Sequence, residues 1–211
     1  MPRIPRKWRG LIGFVGVLAV CCAIGAVTGP IWLPAVGRSL VLQNRNSSEN
    51  PVTADAVGIP GSPWISSAIS SDLTMAASDL IRQHRARLVV MTCGTAYGIS
   101  GCEQEQEDLV TRGGTRLPLR AVPLTSSPSD VESAAMLAEM VRAGATSAII
   151  LASPLESRRL NRVYQREGNK RGIKVTVIAV PDPNFDPAQW WRVREGRKAV
   201  LFELCQWVGI P

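Results

Sequence analysis

The chain has 211 residues, of which 45% are hydrophobic, and this is enough for one folded domain of ordinary size with an additional segment. Its formal net charge is +7, but four of the 24 basic residues lie within the first nine positions, and the other 20 are set against 17 acidic residues. Because aromatic side chains do not alternate with the basic ones, we expect no nucleic-acid-binding surface. The single histidine and the lack of paired Cys and His spacings argue against histidine-based catalysis and against a metal site.

The N-terminal part contains 24 consecutive uncharged residues, from Gly10 to Leu33. Residues 10–33 are long enough to span a bilayer as a helix, and residues 1–9 form a basic flank before them. The positive-inside rule then predicts a single-pass protein of the cell membrane, with a cytoplasmic N-terminus and a periplasmic domain. A cleaved signal peptide is the alternative, and a lipid anchor at Cys21 is a minor one. We favour the membrane helix because the apolar run continues through Ile31 and Trp32, beyond a plausible cleavage point.

Residues 34–51 are expected to form a juxtamembrane linker, and residues 52–211 a folded domain in which short apolar runs alternate with segments of helical periodicity. The predicted strands are 54–57, 87–92, 119–123 at a sheet edge, 148–151 and 174–180, and the predicted helices are 73–84, 103–112, 129–143, the segment after Ser153, and 190–208. This order predicts βαβ units. The expected fold is therefore an α/β three-layer sandwich with a mostly parallel, Rossmann-like sheet, preceded by one N-terminal transmembrane helix.

The strand that ends near Leu151 leads into a helix with a capping signature. Ser153 can act as the N-cap, Pro154 suits the first helical position, and Glu156 completes a capping box. Arg159 follows in what is expected to be an exposed first turn, so a cationic side chain lies near the backbone donors of a helix N-terminus. This arrangement predicts an anion site. The competing interpretation is a solvated helix face, since seven basic residues lie between positions 158 and 174.

Ser129 and Glu132 repeat the capping-box spacing at the start of the preceding helix. The helix 103–112 opens with a cluster of acidic residues that includes Glu105, and the helix dipole explains this cluster before any catalytic role does. Cys93 and Cys102 flank a glycine-containing loop at 93–101, on the side of the membrane predicted to be oxidising. They form either a disulfide that closes this loop or two free thiols.

Taken in order, these pieces resemble the bacterial YdcF/ElyC/SanA-like family, the domain of unknown function 218. The counterparts of the family's motifs are residues 54–57 running to Gly61 and Ser62, then 89–94, 103–107, 129–134 and 152–160, with a closing helix around Glu203. The resemblance covers nearly the whole chain and rests on several weak motifs in the family's order. The departures from the pattern include Glu156 in place of a histidine, Ser129 in place of an asparagine, Asp130 in place of a threonine and Cys93 in place of a glycine. The first loop also lacks most of the family's glycines, and the arginine usual early in the first helix is absent near Leu73.

The resemblance implies a membrane-anchored protein of the cell envelope, concerned with cell-wall or barrier integrity, that binds a phosphorylated or nucleotide-like ligand where the strands end. The ligand-binding positions would be Gly61, Ser62, Gly94, Ser129, Ser153 and Arg159, and the ligand an anionic small molecule or a lipid-linked phosphate. One alternative is a hydrolase or transferase in which Arg159 holds the anion and Glu105 or Glu132 is the general base. Another is a non-catalytic partner-binding domain. The sequence identifies no cofactor.

Overall fold

The computed structural model describes residues 28–29, 31–42, 52–61, 67–96, 99–124, 129–183 and 185–208. Strands and helices alternate along these ranges. The strands are β1 (Ala56–Ile59), β2 (Leu88–Ala96), β3 (Ile99–Ser100), β4 (Leu119–Leu124), β5 (Ser147–Ala152) and β6 (Lys174–Ala179). The helices are α1 (residues 28–29 and 31–40), α2 (Ser67–Arg82), α3 (Gly101–Thr111), α4 (Ser129–Arg142), α5 (Ser157–Arg171) and α6 (Arg194–Trp207), with a short 3-10 helix at Trp190–Arg192.

Five strands form a parallel sheet in the order β4-β2-β1-β5-β6, and β3 pairs antiparallel with the last residues of β2. This order is Rossmann-like, because the chain builds outward from β1 on one side and from β5 on the other. The edge position predicted for residues 119–123 is confirmed, since β4 pairs with β2 alone among the described strands. The chain is therefore an α/β protein with a mostly parallel sheet flanked by helices.

The sheet carries a hydrophobic core on each face, because successive residues of a strand point to opposite sides. Val57 and Ile149 pack with α2 and α3 on one face, whereas Ile150 packs with α4 and α5 on the other. Gly58 lets α4 approach the second face closely, since a Cβ atom there would lie 2.6 Å from Met136 Sδ. These two cores make the three layers that the sequence predicted.

Asp55 fixes the pairing of β1 with β5 at their N-terminal ends. Its Oδ2 accepts hydrogen bonds from the backbone N–H and the hydroxyl of both Thr146 and Ser147, at 2.9 to 3.1 Å. These hydrogen bonds, those from Thr146 first, lower the pKa of Asp55 to about 2. The two strands that flank the candidate site are thus held in register by a carboxylate at the opposite end of the sheet.

The second strand is longer than predicted. The expected loop at residues 93–101 is wrong at its start, because β2 continues to Ala96 and β3 follows at Ile99. Cys93 and Gly94 pair with Pro123 and Leu124 of β4. This backbone pairing extends the strand beyond the apolar run from which it was predicted. The first strand also lies two residues later than predicted, at Ala56–Ile59.

Helix α1 packs against the C-terminal part of the chain. Leu40 is buried in a cluster with Val200 of α6, and the Trp190 indole N–H donates to the Leu33 carbonyl oxygen at 2.9 Å. Gly37 permits this approach, because a Cβ atom there would lie 2.2 Å from a backbone carbonyl oxygen of the facing turn. The first part of the predicted linker therefore belongs to the folded structure.

None of the helices within the described ranges is long and apolar enough to span a membrane. The predicted basic flank, the predicted membrane helix apart from residues 28–29 and 31–33, and the end of the predicted linker at 43–51 lie outside those ranges.

Candidate functional site at the ends of the parallel strands

The strand order places the C-terminal ends of β1 and β5 side by side, and the connections leave these strands in opposite directions. In open α/β sheets, ligands bind in the crevice outside two such strand ends. Gly61 lies two residues after β1, and Ser153 follows β5 directly, so both predicted ligand-binding positions border this crevice. Glycine is required at position 61, because a Cβ atom there would lie 2.2 Å from the Thr92 carbonyl oxygen.

A chain of hydrogen bonds joins the segment after β1 to helix α4 through β2. The Gly61 N–H donates to Thr92 Oγ1 at 2.6 Å, and the Thr92 hydroxyl donates to Glu132 Oε1 at 2.5 Å. Thr92 and Glu132 are both buried. The Glu132 carboxylate thus reaches across to β2, whereas the side chain of Ser129, the other member of the predicted capping box, lies outside the described residues.

Glu132 has the environment of a proton-transfer group. Burial raises its pKa from 4.5 to about 6, and the hydrogen bond from Thr92 opposes this rise. The neighbouring Glu156 carboxylate raises the pKa further, whereas Arg159 lowers it. A carboxyl group with a pKa near 6 changes its protonation close to neutral pH, which is the property that general acid–base catalysis uses.

The turn at residues 154–156 connects β5 to α5. The Glu156 N–H donates to Ser153 Oγ at 3.4 Å, and the Ser153 hydroxyl donates to the Glu156 carboxylate at 3.1 Å. The predicted interaction of Ser153 with Glu156 is therefore present. The predicted start of the helix at Pro154 is wrong, however, because these residues form a turn and α5 begins at Ser157.

Arg159 is enclosed between two carboxylates. Its Nε donates to Glu203 Oε1 at 2.8 Å, and its Nη2 lies 3.4 Å from Glu156 Oε1. The expectation of an exposed Arg159 is wrong, since its side chain is only 11% exposed and α6 supplies one of its partners. An anion that bound to Arg159 would have to compete with both carboxylates.

Glu203 completes the group of ionisable side chains, which we name the acidic cluster: Glu132, Glu156, Arg159 and Glu203. Burial raises the pKa of Glu203, and the hydrogen bond from Arg159 opposes this effect. Its Oε2 atom is buried, and the nearby Trp207 side chain acts in the same direction as Arg159 by lowering the pKa of Glu203. Three carboxyl groups thus surround one guanidinium, so the cluster is acidic rather than cationic.

The remaining basic residues of α5 are largely engaged in contacts with other side chains. Arg166 pairs with Asp130 at 2.5 Å, and the Arg162 guanidinium lies 4.4 Å from the centre of the Trp207 ring. Lys170 and Arg171 both pair with Glu167 of the same helix. These contacts favour the interpretation of this basic segment as a solvated helix face.

The other predicted site residues are not members of the acidic cluster or lie outside the described residues. Glu105 lies on α3, on the opposite face of the sheet, and lines a pocket of about 250 Å³ between α2 and α3. Gly94 is within β2, opposite Leu124. Ser62 and the side chain of Ser129 lie outside the described residues. The structure therefore gathers Gly61, Glu132, Ser153 and Arg159, but not Glu105, at one end of the sheet.

Three members of the site escaped the sequence-based prediction. Thr92, Glu156 and Glu203 all contact a predicted site residue directly. All three carry a recognisable signal, because Thr92 is a polar residue that ends an apolar run, Glu156 has capping-box spacing and Glu203 is an acid inside an amphipathic helix. Only the tertiary contacts show that Thr92 bonds to Glu132 and that Glu203 and Glu156 enclose Arg159.

Cys93 and Cys102 are placed as a disulfide pair, with their Cα atoms 5.6 Å apart. This separation lies in the range that disulfides require. The pair links the C-terminal half of β2 to the first turn of α3. Among the described residues, no group of three or more His, Cys, Asp or Glu side chains is placed to hold a metal ion.

The fold and the site define an α/β protein with a Rossmann-like parallel sheet and a buried acidic cluster at the end of its central strands. No protein-family model and no curated protein matches the chain. Among solved structures it is similar to one described as a universal stress protein in complex with cAMP, with 12% sequence identity and a TM-score of 0.37. That match covers 61% of this chain and 99% of the other.

Proposed function

We propose that this chain is a membrane-anchored, periplasmic α/β protein of the YdcF/ElyC/SanA type, which acts in maintaining the bacterial cell envelope. Its molecular role would be to bind a phosphorylated or nucleotide-like ligand in the crevice outside β1 and β5. The single observation that carries this proposal is the buried connection from Gly61 through Thr92 to Glu132 at that crevice. A domain with a purely structural role has no need to bury an ionisable carboxyl group there, because burial of a carboxylate is costly.

The acidic cluster adds a condition on how such a ligand would lie. Carboxylates accept hydrogen bonds, so the hydroxyl or amino groups of a sugar or nucleoside would face Glu132 and Glu156. The phosphate would lie away from these two side chains, since like charges repel. This orientation differs from the sequence-based hypothesis, in which Arg159 holds the anion.

A hydrolase or transferase acting on the same ligand is the second candidate, and the pKa of Glu132 near 6 favours it. Glu132 would act as the general base towards a water molecule or hydroxyl group in the crevice. Glu105 has no part in this candidate, because it lies on the other face of the sheet.

The partner-binding alternative receives support from Glu156 alone. This side chain bonds to Ser153 in its own turn and to Arg159 one helical turn later, as a structural carboxylate would. Glu132 does not follow that pattern, because it bonds to a different element.

A thermal-shift screen of the detergent-solubilised full-length chain tests the proposal, with nucleotides, sugar phosphates, S-adenosylmethionine and polyprenyl phosphate analogues as probes. A ligand that binds only the folded state at 100 times its Kd adds about 2.7 kcal/mol of stability, enough to raise the melting temperature measurably. We expect at least one of these probes to do so, and the shift to disappear in Glu132→Gln.

Glu105→Gln is the matched control, because it makes the same chemical change in the pocket on the other face. Its shift should equal that of the wild type. A shift lost in Glu105→Gln but retained in Glu132→Gln would move the ligand to that pocket. The absence of any shift would overturn the ligand-binding proposal in favour of partner binding. Turnover of a stabilising ligand, abolished by Glu132→Gln, would select the enzymatic candidate.

A further inference from the structure

The start of α6 and the 3-10 helix before it form an exposed basic surface. Between positions 190 and 198 there are four basic residues, Arg192, Arg194, Arg197 and Lys198, and one acid, Glu195, so the net charge is +3. All four basic side chains are exposed. Arg197 donates to the Trp191 carbonyl oxygen at 2.8 Å, which holds its guanidinium beside the 3-10 helix.

Large apolar side chains are exposed next to this segment and in α1. Val193 lies between the 3-10 helix and α6 and is 52% exposed. Ile31 and Trp32 of α1 are 78% and 48% exposed. Exposed apolar side chains beside basic ones are typical of segments that lie at a membrane interface, where tryptophan is also enriched.

Trp190 holds these two groups of residues next to each other. Its indole N–H donates to the Leu33 carbonyl oxygen of α1 at 2.9 Å. On its other side, the Trp190 backbone packs against Gly196 of α6, where a Cβ atom would lie 2.4 Å from the Trp190 carbonyl oxygen. Trp190 therefore brings the N-terminal half of α1 close to the first turn of α6. We name the exposed side chains of these neighbouring segments the basal surface: Ile31, Trp32, Val193, Arg194, Arg197 and Lys198.

The position of the basal surface along the chain indicates what covers it. The uncharged stretch that begins at Gly10 runs to Gly37, and its predicted membrane-spanning part, residues 10–33, ends within α1. If this stretch enters a bilayer, as proposed above, the basal surface is the part of the folded domain nearest to the lipid headgroups. We infer that the basal surface docks on anionic phospholipid, with its basic residues at the headgroups and Ile31, Trp32 and Val193 at the apolar boundary. This inference rests on the proposed membrane anchoring.

Docking of this kind has a defined dependence on lipid charge and on salt. Each basic residue near an anionic membrane surface strengthens the interaction by about fivefold at physiological ionic strength. Reversing Arg194 and Arg197 to Glu should therefore weaken docking by at least about 25-fold. Salt screens the same attraction, because the Debye length falls to about 3 Å at 1 M ionic strength.

The test is hydrogen–deuterium exchange on the full-length chain reconstituted into two kinds of vesicle, phosphatidylcholine alone and phosphatidylcholine with phosphatidylglycerol. We expect slower exchange in the peptides that cover residues 190–198 in the anionic vesicles only. The protection should be lost in Arg194→Glu/Arg197→Glu and in wild type at high salt. Arg116→Glu/Lys174→Glu, which reverses two exposed charges at the starts of β4 and β6, is the matched control and should retain it. The measurement on the wild type at high salt tests docking even if Arg194→Glu/Arg197→Glu fails to fold.

Flotation of the same samples after an alkaline carbonate wash distinguishes docking of the basal surface from anchoring by the predicted membrane helix. Retention in both vesicle types without lipid-dependent protection would overturn docking and leave the anchor intact. Loss from both vesicle types after the wash, with salt-sensitive binding to anionic vesicles before it, would support docking and overturn the anchor. Protection that depends on protein concentration rather than on lipid charge would show that a second copy of the chain covers the basal surface, and would overturn docking.

Discussion

At the scale of single residues, Glu132 is the group whose titration reports most directly on the site. The folded protein retains its proton up to about pH 6, whereas the unfolded chain releases it near pH 4.5. Between these values the folded state binds more protons, so the wild type loses stability as the pH rises. The difference between the two pKa values corresponds to about 2 kcal/mol.

Glu132→Gln should remove this dependence, because glutamine retains the shape and can accept the hydrogen bond from Thr92 but does not titrate. Relative to the variant, the wild type should become about 2 kcal/mol less stable between pH 4.5 and about pH 6. Urea unfolding of both proteins below, within and above this window measures the change. A difference in stability that stays constant with pH would contradict the burial of an ionisable Glu132.

We predict that Arg159 is essential for stability. An arginine exposed in the first turn of a helix, as the sequence suggested, would contribute little. Arg159→Ala would leave the buried Glu203 carboxylate and the partly buried Glu156 carboxylate without their partner, at a cost of about 3–5 kcal/mol. Arg158→Ala, its exposed neighbour, should change stability by less than about 0.5 kcal/mol. Denaturant unfolding of both variants at neutral pH measures the contrast.

Adding Glu203→Gln to Arg159→Ala should restore part of the lost stability, since it removes one of the uncompensated charges. The same restoration should occur in Arg159→Ala alone when the pH is lowered, because burial raises the pKa of Glu203 and its carboxyl group then becomes neutral. Equal losses in Arg158→Ala and Arg159→Ala would show that the enclosed ion pairs contribute nothing.

At the scale of elements, the disulfide between β2 and α3 constrains the segment that precedes the pocket at Glu105. The two cysteines are nine positions apart, and closing a loop of this length stabilises a protein by about 2–3 kcal/mol. Dithiothreitol should therefore lower the melting temperature of the wild type. Cys93→Ala/Cys102→Ala should not respond to the reductant, whereas Cys205→Ala, which removes the free thiol within the described residues, should respond like the wild type. A wild type insensitive to reductant would mean that the two thiols are free.

Helix α1 shows how a short element connects distant parts of the chain. Its C-terminal end leads to Leu42, whose N–H donates to Ser157 Oγ at 2.8 Å, and Ser157 is the first residue of α5. The Ser157 hydroxyl in turn donates to the Pro154 carbonyl oxygen at 2.6 Å. The segment after the predicted membrane helix is thus bonded to the turn that carries Ser153 and Glu156.

At the scale of the whole molecule, the folded domain begins before the position that composition suggests. A fragment that starts at residue 46 lacks α1 and uncovers Val200 and its neighbours, whereas a fragment that starts at residue 28 retains Leu40 in that cluster. We expect the shorter fragment to be less stable by about 2–5 kcal/mol, the range for losing one buried leucine side chain. Thermal unfolding measured together with light scattering compares them, and equal melting temperatures without aggregation would contradict the docking of α1.

The sequence by itself determined the class of fold and the two ends of the crevice. Alternating apolar runs and helical periods define βαβ units, and the right-handed crossovers of such units leave few possible sheets. Ser153 was found because a turn residue that follows a strand marks its carboxyl end, whereas the resemblance to the YdcF/ElyC/SanA-like family pointed to Gly61. Local signals of this kind depend on neighbouring residues only, so a single sequence displays them.

Only the tertiary structure decided which side chains meet at the crevice. Glu132 and Glu156 have the same capping-box spacing, yet Glu156 bonds within its own turn while Glu132 crosses to Thr92, 40 positions away. Glu203 reaches Arg159 over a separation of 44 positions, and Glu105 is directed to the other face of the sheet. The physical reason is that strand order and helix packing set the distances between these side chains. Neither can be predicted from the spacing of residues along the chain.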